Sequence, residues 1–244
     1  MSTRPIAVEV DGVTKRFRLR HTHSLKESLV WTVQGRERHN EFTALDDINL
    51  TVPQGQTMAL LGRNGSGKST LLKLMAGVMA PDEGRVRLRG RVAGLLEVGA
   101  GLHPDLTGRE NVFLNASILG MTEADIRARF DDIVDFADIG PFLDTQVRFY
   151  SSGMFLRLAF AVAVHTEPDV FLVDEILAVG DEPFRRRCLE RIERLSAEGR
   201  TLVVVSHDLP LVERLCNRGV VLQQGSVIHD GDVSEAVAHL KAPA

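Results

Sequence analysis

The chain has 244 residues, 44% hydrophobic and 25% charged, enough apolar material for a sizeable core and a length that suits one domain with a subdomain better than two independent ones. A net charge of -4 excludes a general nucleic-acid binder, whose charge balance is basic. Two cysteines without metal-ligand spacing, Cys188 and Cys216, both in segments read as helical, suit reduced thiols in a cytosolic protein, and no window approaches the roughly 20 apolar residues of a membrane span or a signal-peptide core.

In chain order, Ile6 to Val10 and Ile48 to Val52 alternate as half-buried strands do. Between Phe17 and Phe42 runs "RLRHTHSLKESLVWTVQGRERHNE", a polar, basic excursion joining two strands, and connections this long are usually functional or disordered. "TMALLG", Thr57 to Gly62, reads as a buried strand entering a glycine-rich turn, and "KSTLLKLMAG" starts a helix at Lys68 that Gly77 stops from the C′ position. Thr107 with Glu110 and Thr122 with Asp125 have capping-box spacing ahead of helical patterns. Ser151, Ser152 and Gly153 then open an apolar run to Val164 that only Arg157 breaks. Such a start is an ordinary N-cap or an anion site, and the residues alone leave both open. These pieces predict an all-helical insert from 101 to 165. After it come a strand from Asp169 to Val173, a helix from Glu182 to Ala197, a strand from Thr201 to Val205, a helix from Asp208 and a strand pair around "QQGS". Alternating strands and helices predict a mainly parallel sheet with crossovers.

"GRNGSGKST", Gly62 to Thr70, fits G-x-x-x-x-G-K-[ST] between a predicted strand and a predicted helix, the context that motif requires. Its glycines Gly62, Gly65 and Gly67 let backbone N–H groups, those of Asn64, Ser66 and Thr70 among them, curl round phosphate. Lys68 would reach the β- and γ-phosphates and the Ser69 hydroxyl would ligate Mg²⁺. A phosphate loop alone leaves kinases, GTPases, helicases and transport motors open. "FLVDE" narrows them: Asp174 at a strand end suits the magnesium shell, and Glu175 suits a catalytic base or water-orienting group. His207, just past the next strand, falls at the same carboxyl edge, where an imidazole reaches a γ-phosphate and its attacking water.

In order and spacing, "GRNGSGKST", "YSSGM", "FLVDE", "AVGD" and "VVSHD" make the chain resemble ABC-type ATPases along nearly its whole length. The resemblance implies an α/β P-loop nucleotide-binding domain, its mainly parallel core sheet joined by an antiparallel β part and an inserted all-helical subdomain. Residues 1–244 would be one such domain, with its core in 1–100 and 166–244 and its helical subdomain in 101–165. "YSSGM" stands where the family carries LSGGQ, so Ser151 and Gly153 would serve a nucleotide held by the other subunit. The active species would be a homodimer enclosing two ATP molecules with Mg²⁺. By the same resemblance Phe17 matches the position whose ring stacks on adenine, although a core role is equally open to it, and Asp181 matches the loop that crosses the dimer seam. The family usually places a glutamine near "LLEVGAGLHPDLTGREN"; this chain has none, and Glu97, or Val98 in a second alignment, stands nearest, with Glu97 the candidate metal contact.

Within the family, "LLEVGAGLHPDLTGRENVFLN", "FYSSGM", "DEILAVGD" and the long excursion are similar to the ATP-binding subunits that export lipid-linked cell-surface polysaccharides such as O-antigen, teichoic acid and galactan. The implied partner is an integral membrane permease, also in two copies, with the subunit peripheral on the cytoplasmic face of the membrane and no nucleic acid involved. No carbohydrate-binding module is expected after the last short helix. Arg18, Arg20, Arg36 and Arg38 with Trp31 would lie against an anionic pyrophosphate-linked headgroup or the inner leaflet. The rival readings are a soluble ABC-type ATPase that remodels a macromolecule, and a P-loop kinase, which would leave "YSSGM" unexplained.

Overall fold

A computed structural model describes residues 4–19, 40–94, 101–174 and 181–242. Arg20, Trp31, Arg36, Arg38, Glu97, Val98 and Glu175 lie outside the described residues.

The first sheet is antiparallel, with β1 (Ile6–Leu19) between β2 (Asn40–Pro53) and β4 (Glu83–Leu88). The two alternating stretches of the sequence are the first part of β1 and the last part of β2, longer strands that also include Phe17 and Phe42 and reach the Leu19↔Asn40 pair. Register shifts bend β1, one of them between Val10 and Val13 where Gly12 adopts φ 59°. One face carries Val8, Val10, Val13, Ile48, Leu50 and Val52 into a core. On the other, β1 and β4 exchange the ion pairs Arg85–Asp11 (2.7 Å) and Arg87–Glu9 (2.9 Å), exposed charges that add little stability but keep an edge strand from pairing with another chain.

The second sheet has the order β5 (Val92–Gly94), β6 (Val170–Val173), β7 (Thr201–Val204), β3 (Thr57–Leu61), β8 (Arg218–Gln223), β9 (Ser226–Asp232). All its pairings are parallel except β8 with β9. The central strands β6, β7 and β3 are fully buried, and apolar apart from Thr57 and Thr201 at their starts, because both faces are covered. Alternation sends Met58, Leu60, Val170, Leu172 and Val203 into the core shared with the first sheet and α1 (Lys68–Met75). Ala59, Leu61, Phe171, Val173, Leu202 and Val204 face the helices on the opposite side.

Those helices are α2 (Gly108–Ile118), α3 (Glu123–Ala137), α4 (Ser152–His165), α5 (Glu182–Ala197), α6 (Leu209–Leu215) and α7 (Val233–Lys241). Both expected capping boxes are present: Glu110 N donates to Thr107 Oγ1 at 3.2 Å, and Thr107 N returns the bond to Glu110 Oε2 at 2.8 Å. Thr122 and Asp125 repeat the arrangement. Gly77 has φ 72° one residue past the α1 C-cap, where a left-handed residue ends a helix. Cys188 is buried within α5, while Cys216 sits one residue beyond α6 rather than inside it. Among the described residues no helix is long and apolar enough to cross a membrane.

Candidate nucleotide site

The parallel sheet fixes the site. In register, Val173 pairs with Val204 and Val204 with Ala59, so β6, β7 and β3 end at one edge, and Val205 N donating to Val173 O (2.8 Å) extends the pairing by a residue. That edge carries the phosphate loop after Leu61, the half-buried Asp174 after Val173 and the exposed His207 two residues past Val205. Ligands of open α/β sheets bind at this edge.

The loop is shaped by backbone that only glycine adopts at ease. Gly67 caps α1 at φ 110° and ψ -4° without a side-chain cap, so the first N–H groups of the helix stay available to an anion. A Cβ on Gly67 would lie 2.7 Å from Ala44 O, and one on Gly62 would lie 2.4 Å from both Leu222 O and Ser66 Oγ. The cradle is therefore pressed against β2 on one side and β8 on the other. Lys68 is 6% exposed, and its Nζ donates to Gly62 O (2.7 Å) and Arg63 O (3.2 Å), which folds the ammonium back over its own loop. Asn64, Gly65 and Ser69 are exposed, Thr70 is half-buried, and Ser66 Oγ is buried without a hydrogen-bond partner. A hydroxyl so placed, beside glycines whose backbone leaves no room for a side chain, fits a cradle completed by phosphate oxygens. For magnesium the described donors are the Ser69 hydroxyl and the Asp174 carboxylate, hard oxygens that suit an ion bound through one or two protein ligands plus phosphates. A cavity of about 420 Å³ flanks the loop, with Arg63, Ser66, Gln224, Ile228 and His239 in its wall.

Phe17 pairs with Phe42 across β1 and β2, is half-buried and belongs to neither hydrophobic core. Lys15 Nζ lies 5.8 Å from its ring centroid. Arg18, at the start of the basic excursion, sits 3.5 Å from Glu41.

"YSSGM" is not joined to this edge by any hydrogen bond or ion pair between described residues. Ser151 is the α4 N-cap, exposed, its Oγ accepting from Met154 N at 3.2 Å, and a Cβ on Gly153 would meet nothing closer than Ser151 Oγ at 3.8 Å. The turn is thus an exposed N-cap with open space beside Gly153. It is held from behind: Tyr150 Oη donates to Phe142 O (2.8 Å), and a Cβ on Gly108 would come within 2.1 Å of that hydroxyl. Asp181 is the N-cap of α5, its Oδ1 accepting from Phe184 N at 3.1 Å and its Oδ2 from Arg157 Nη2 at 2.6 Å. Sequence reasoning did not assign Tyr150 or Arg157 a role; the charge interrupting the apolar run was the available signal for Arg157.

A family profile described as ABC transporter matches residues 45–178. The chain is 46% identical over 243 residues to the O-antigen export system ATP-binding protein RfbB of Myxococcus xanthus, which covers 96% of the chain and 55% of that protein. It is 42% identical to the protein of the same name from Klebsiella pneumoniae, over 88% of the chain and 89% of that protein. Against the teichoic acids export ATP-binding protein TagH of Shouchella clausii the identity is 38%, over 93% of the chain and 62% of that protein. The chain thus spans little more than half of the Myxococcus and Shouchella proteins. A solved structure described as the ATP binding subunit of an ABC transporter superposes with a TM-score of 0.76 at 24% identity, covering 98% of this chain and 95% of that one, which establishes the fold.

Proposed function

Because the chain belongs to the ABC transporter family, we propose that it is the ATP-binding and hydrolysing subunit of an exporter that moves a lipid-linked cell-surface polysaccharide across the cytoplasmic membrane. The observation that supports the proposal is the glycine-shaped loop of Gly62 to Thr70 at one helix start together with a second exposed helix start at Ser151, which no hydrogen bond or ion pair between described residues joins to it. A solitary subunit has two half-sites, and two copies facing each other complete both.

In this reading the backbone of 62–70 binds the phosphates, Lys68 turns from its loop carbonyls to the β- and γ-phosphates, and Phe17 stacks on adenine. Ser69 and Asp174, with Glu97 as a further contact, would hold magnesium, which when bound would supply positive charge beside the phosphates. Glu175 orients and deprotonates the attacking water, and His207 hydrogen-bonds the γ-phosphate from the neighbouring strand end. Ser151 and Gly153 of the partner copy close over the γ-phosphate, and Asp181 borders the loop crossing the seam. Phosphoryl transfer needs positioning and charge stabilisation rather than covalent chemistry, which suits a site of N–H groups, one lysine and one carboxylate pair. ATP closes the dimer, closure moves the membrane permease, and hydrolysis reopens it at the cytoplasmic face. The core of 1–100 and 166–244 supplies the cradle and the helical subdomain of 101–165 supplies the partner's serine turn.

Depleting this subunit in cells and identifying the lipid that accumulates tests the reading. A glycan on a lipid pyrophosphate carrier should build up inside, restored to the surface by the wild-type chain and not by Glu175→Gln. Unchanged surface glycan, with no intracellular lipid-linked intermediate, would refute it.

A further inference from the structure

The tip of the β8–β9 hairpin touches the phosphate loop. Gln223 pairs with Ser226, so Gln224 and Gly225 make the turn between the strands, at φ 49° and 83°. Two positive φ values belong to the turn whose twist matches that of its strands, and glycine adopts them with least strain. Both backbone groups of Gly225 are engaged: its N–H donates to Ser66 O at 3.1 Å, and its carbonyl accepts from Asp46 N at 2.9 Å. One residue thus ties the loop to β2. No side chain fits there, since a Cβ on Gly225 would lie 2.9 Å from Ala44 O and 3.3 Å from Leu45 Cα. Ala44 O also crowds Gly67, and the fully buried Leu45 pairs with Lys15, two residues before Phe17. The hairpin tip, the start of α1 and the strand pair carrying Phe17 therefore meet around Ala44 and Leu45. A cavity of about 420 Å³ is walled by both the loop and the end of α7 at His239 and Leu240, so helix packing does not hold the loop on that flank.

We propose that Gly225 is a positioning residue for ATP, acting through the peptide between Ser66 and Gly67. The Ser66 carbonyl and the Gly67 N–H belong to one planar trans peptide, so they point in opposite directions. With the oxygen drawn back to Gly225, the Gly67 N–H is turned away from the hairpin, as a donor to phosphate must be. The bond from Asp46 then sets that peptide against β2, and so against the strand pair that carries Phe17. Gly225 itself touches neither nucleotide nor metal. The inference rests on the reading of 62–70 as the ATP site.

The test uses the full chain, a fluorescent ATP analogue and Gly55→Ala as a control. Gly55 is also left-handed, at φ 72°, and a Cβ there would lie 3.1 Å from Gly199 O, but it precedes β3, whose other end leads into the loop. Both substitutions should lower the Tm. Gly225→Ala should also raise the Kd for the analogue and the KM for ATP by about ten-fold, the scale of one hydrogen bond to a charged group. Its kcat should stay within about two-fold, because the loop binds ground state and transition state alike. Gly55→Ala should leave Kd and KM within about two-fold. A folded Gly225→Ala with parental Kd and KM overturns the proposal. If that variant fails to fold, hydrogen exchange on the parent decides: Mg-ADP should slow the Gly225 and Asp46 amides several-fold and leave the Gly55 amide unchanged, and unaltered exchange at Gly225 overturns the proposal. A parent that binds no analogue overturns the nucleotide-site reading, whereas a parent that binds it and is matched by Gly225→Ala sinks the positioning role alone.

Discussion

Alanine at Gly67 should damage the cradle and the fold together. The native backbone there, φ 110° and ψ -4°, lies outside the regions an L-residue occupies readily, and such strain costs about 1–3 kcal/mol. The new methyl would sit 2.7 Å from Ala44 O and 2.7 Å from Leu45 Cδ2. Leu45 is fully buried, so the leucine cannot swing clear without disturbing the core between the two sheets, and overpacking adds about 1–3 kcal/mol. A total near 4 kcal/mol corresponds to a fall in Tm of about 8–16 °C for a chain of this size. Calorimetry of the nucleotide-free protein measures the first effect, and titration with a fluorescent ATP analogue below the new Tm measures the second, a loss of affinity as the N–H groups are pushed off the phosphate. A Tm within about 2 °C of the parent, with unchanged affinity, would show that the loop does not have the tight backbone on which the phosphate site depends.

Ser151→Ala removes a helix cap worth about 1 kcal/mol, yet ATP turnover should fall by about a hundred-fold, the scale of losing one donor to transition-state charge; a loss of turnover no larger than the stability change would leave the serine a cap and nothing more. Phe17→Ala should raise the Kd for ATP by about two- to twelve-fold through lost stacking while the Tm of the nucleotide-free protein changes little, and a lowered Tm with unchanged Kd would point to a packing role. Burial pushes the thiols of Cys188 and Cys216 up to about 12, so iodoacetamide at pH 8 should leave both unmodified in the folded protein and label both in guanidinium; rapid labelling of either without denaturant would contradict the packing of α5 and α6. The capping boxes hold Glu110, chiefly through the Thr107 N–H, and Asp125, chiefly through the Thr122 hydroxyl, below their ordinary values of 4.5 and 3.8. Carboxylates lowered in the folded state add stability that is present above those values and lost as pH falls through the lowered ones, so Thr122→Val, which removes the hydroxyl that holds Asp125, should reduce the Tm at neutral pH and flatten its decline below pH 3.8, and an unchanged acid slope would contradict the assignment.

Most of the cradle was legible because its determinants are local. Nine consecutive residues, Gly62 to Thr70, specify a strand end, a glycine turn and a helix start, and Thr107 with Glu110 or Gly77 after Ala76 mark helix ends by the same short-range logic. β4 and β5 were not legible: β4 alternates exposed Arg85 and Arg87 with Gly84, Val86 and Leu88, β5 has three residues, and both form because a neighbouring strand offers a free edge. The partners of Arg157 lie 19 and 24 residues away, and nothing in the helical pattern points to them. Ser151 illustrates a deeper limit. Within one chain its hydroxyl has a complete structural explanation as an N-cap, so only a second copy can reveal any further use.

A structure of the Glu175→Gln protein with Mg-ATP decides the matter most directly. The two-copy site predicts a symmetric dimer in which Ser151 of each copy lies within hydrogen-bond distance of a γ-phosphate cradled by Lys68 of the other. Nucleotide fully bound to Lys68 with Ser151 remote from every γ-phosphate, in each assembly the protein forms, would contradict it.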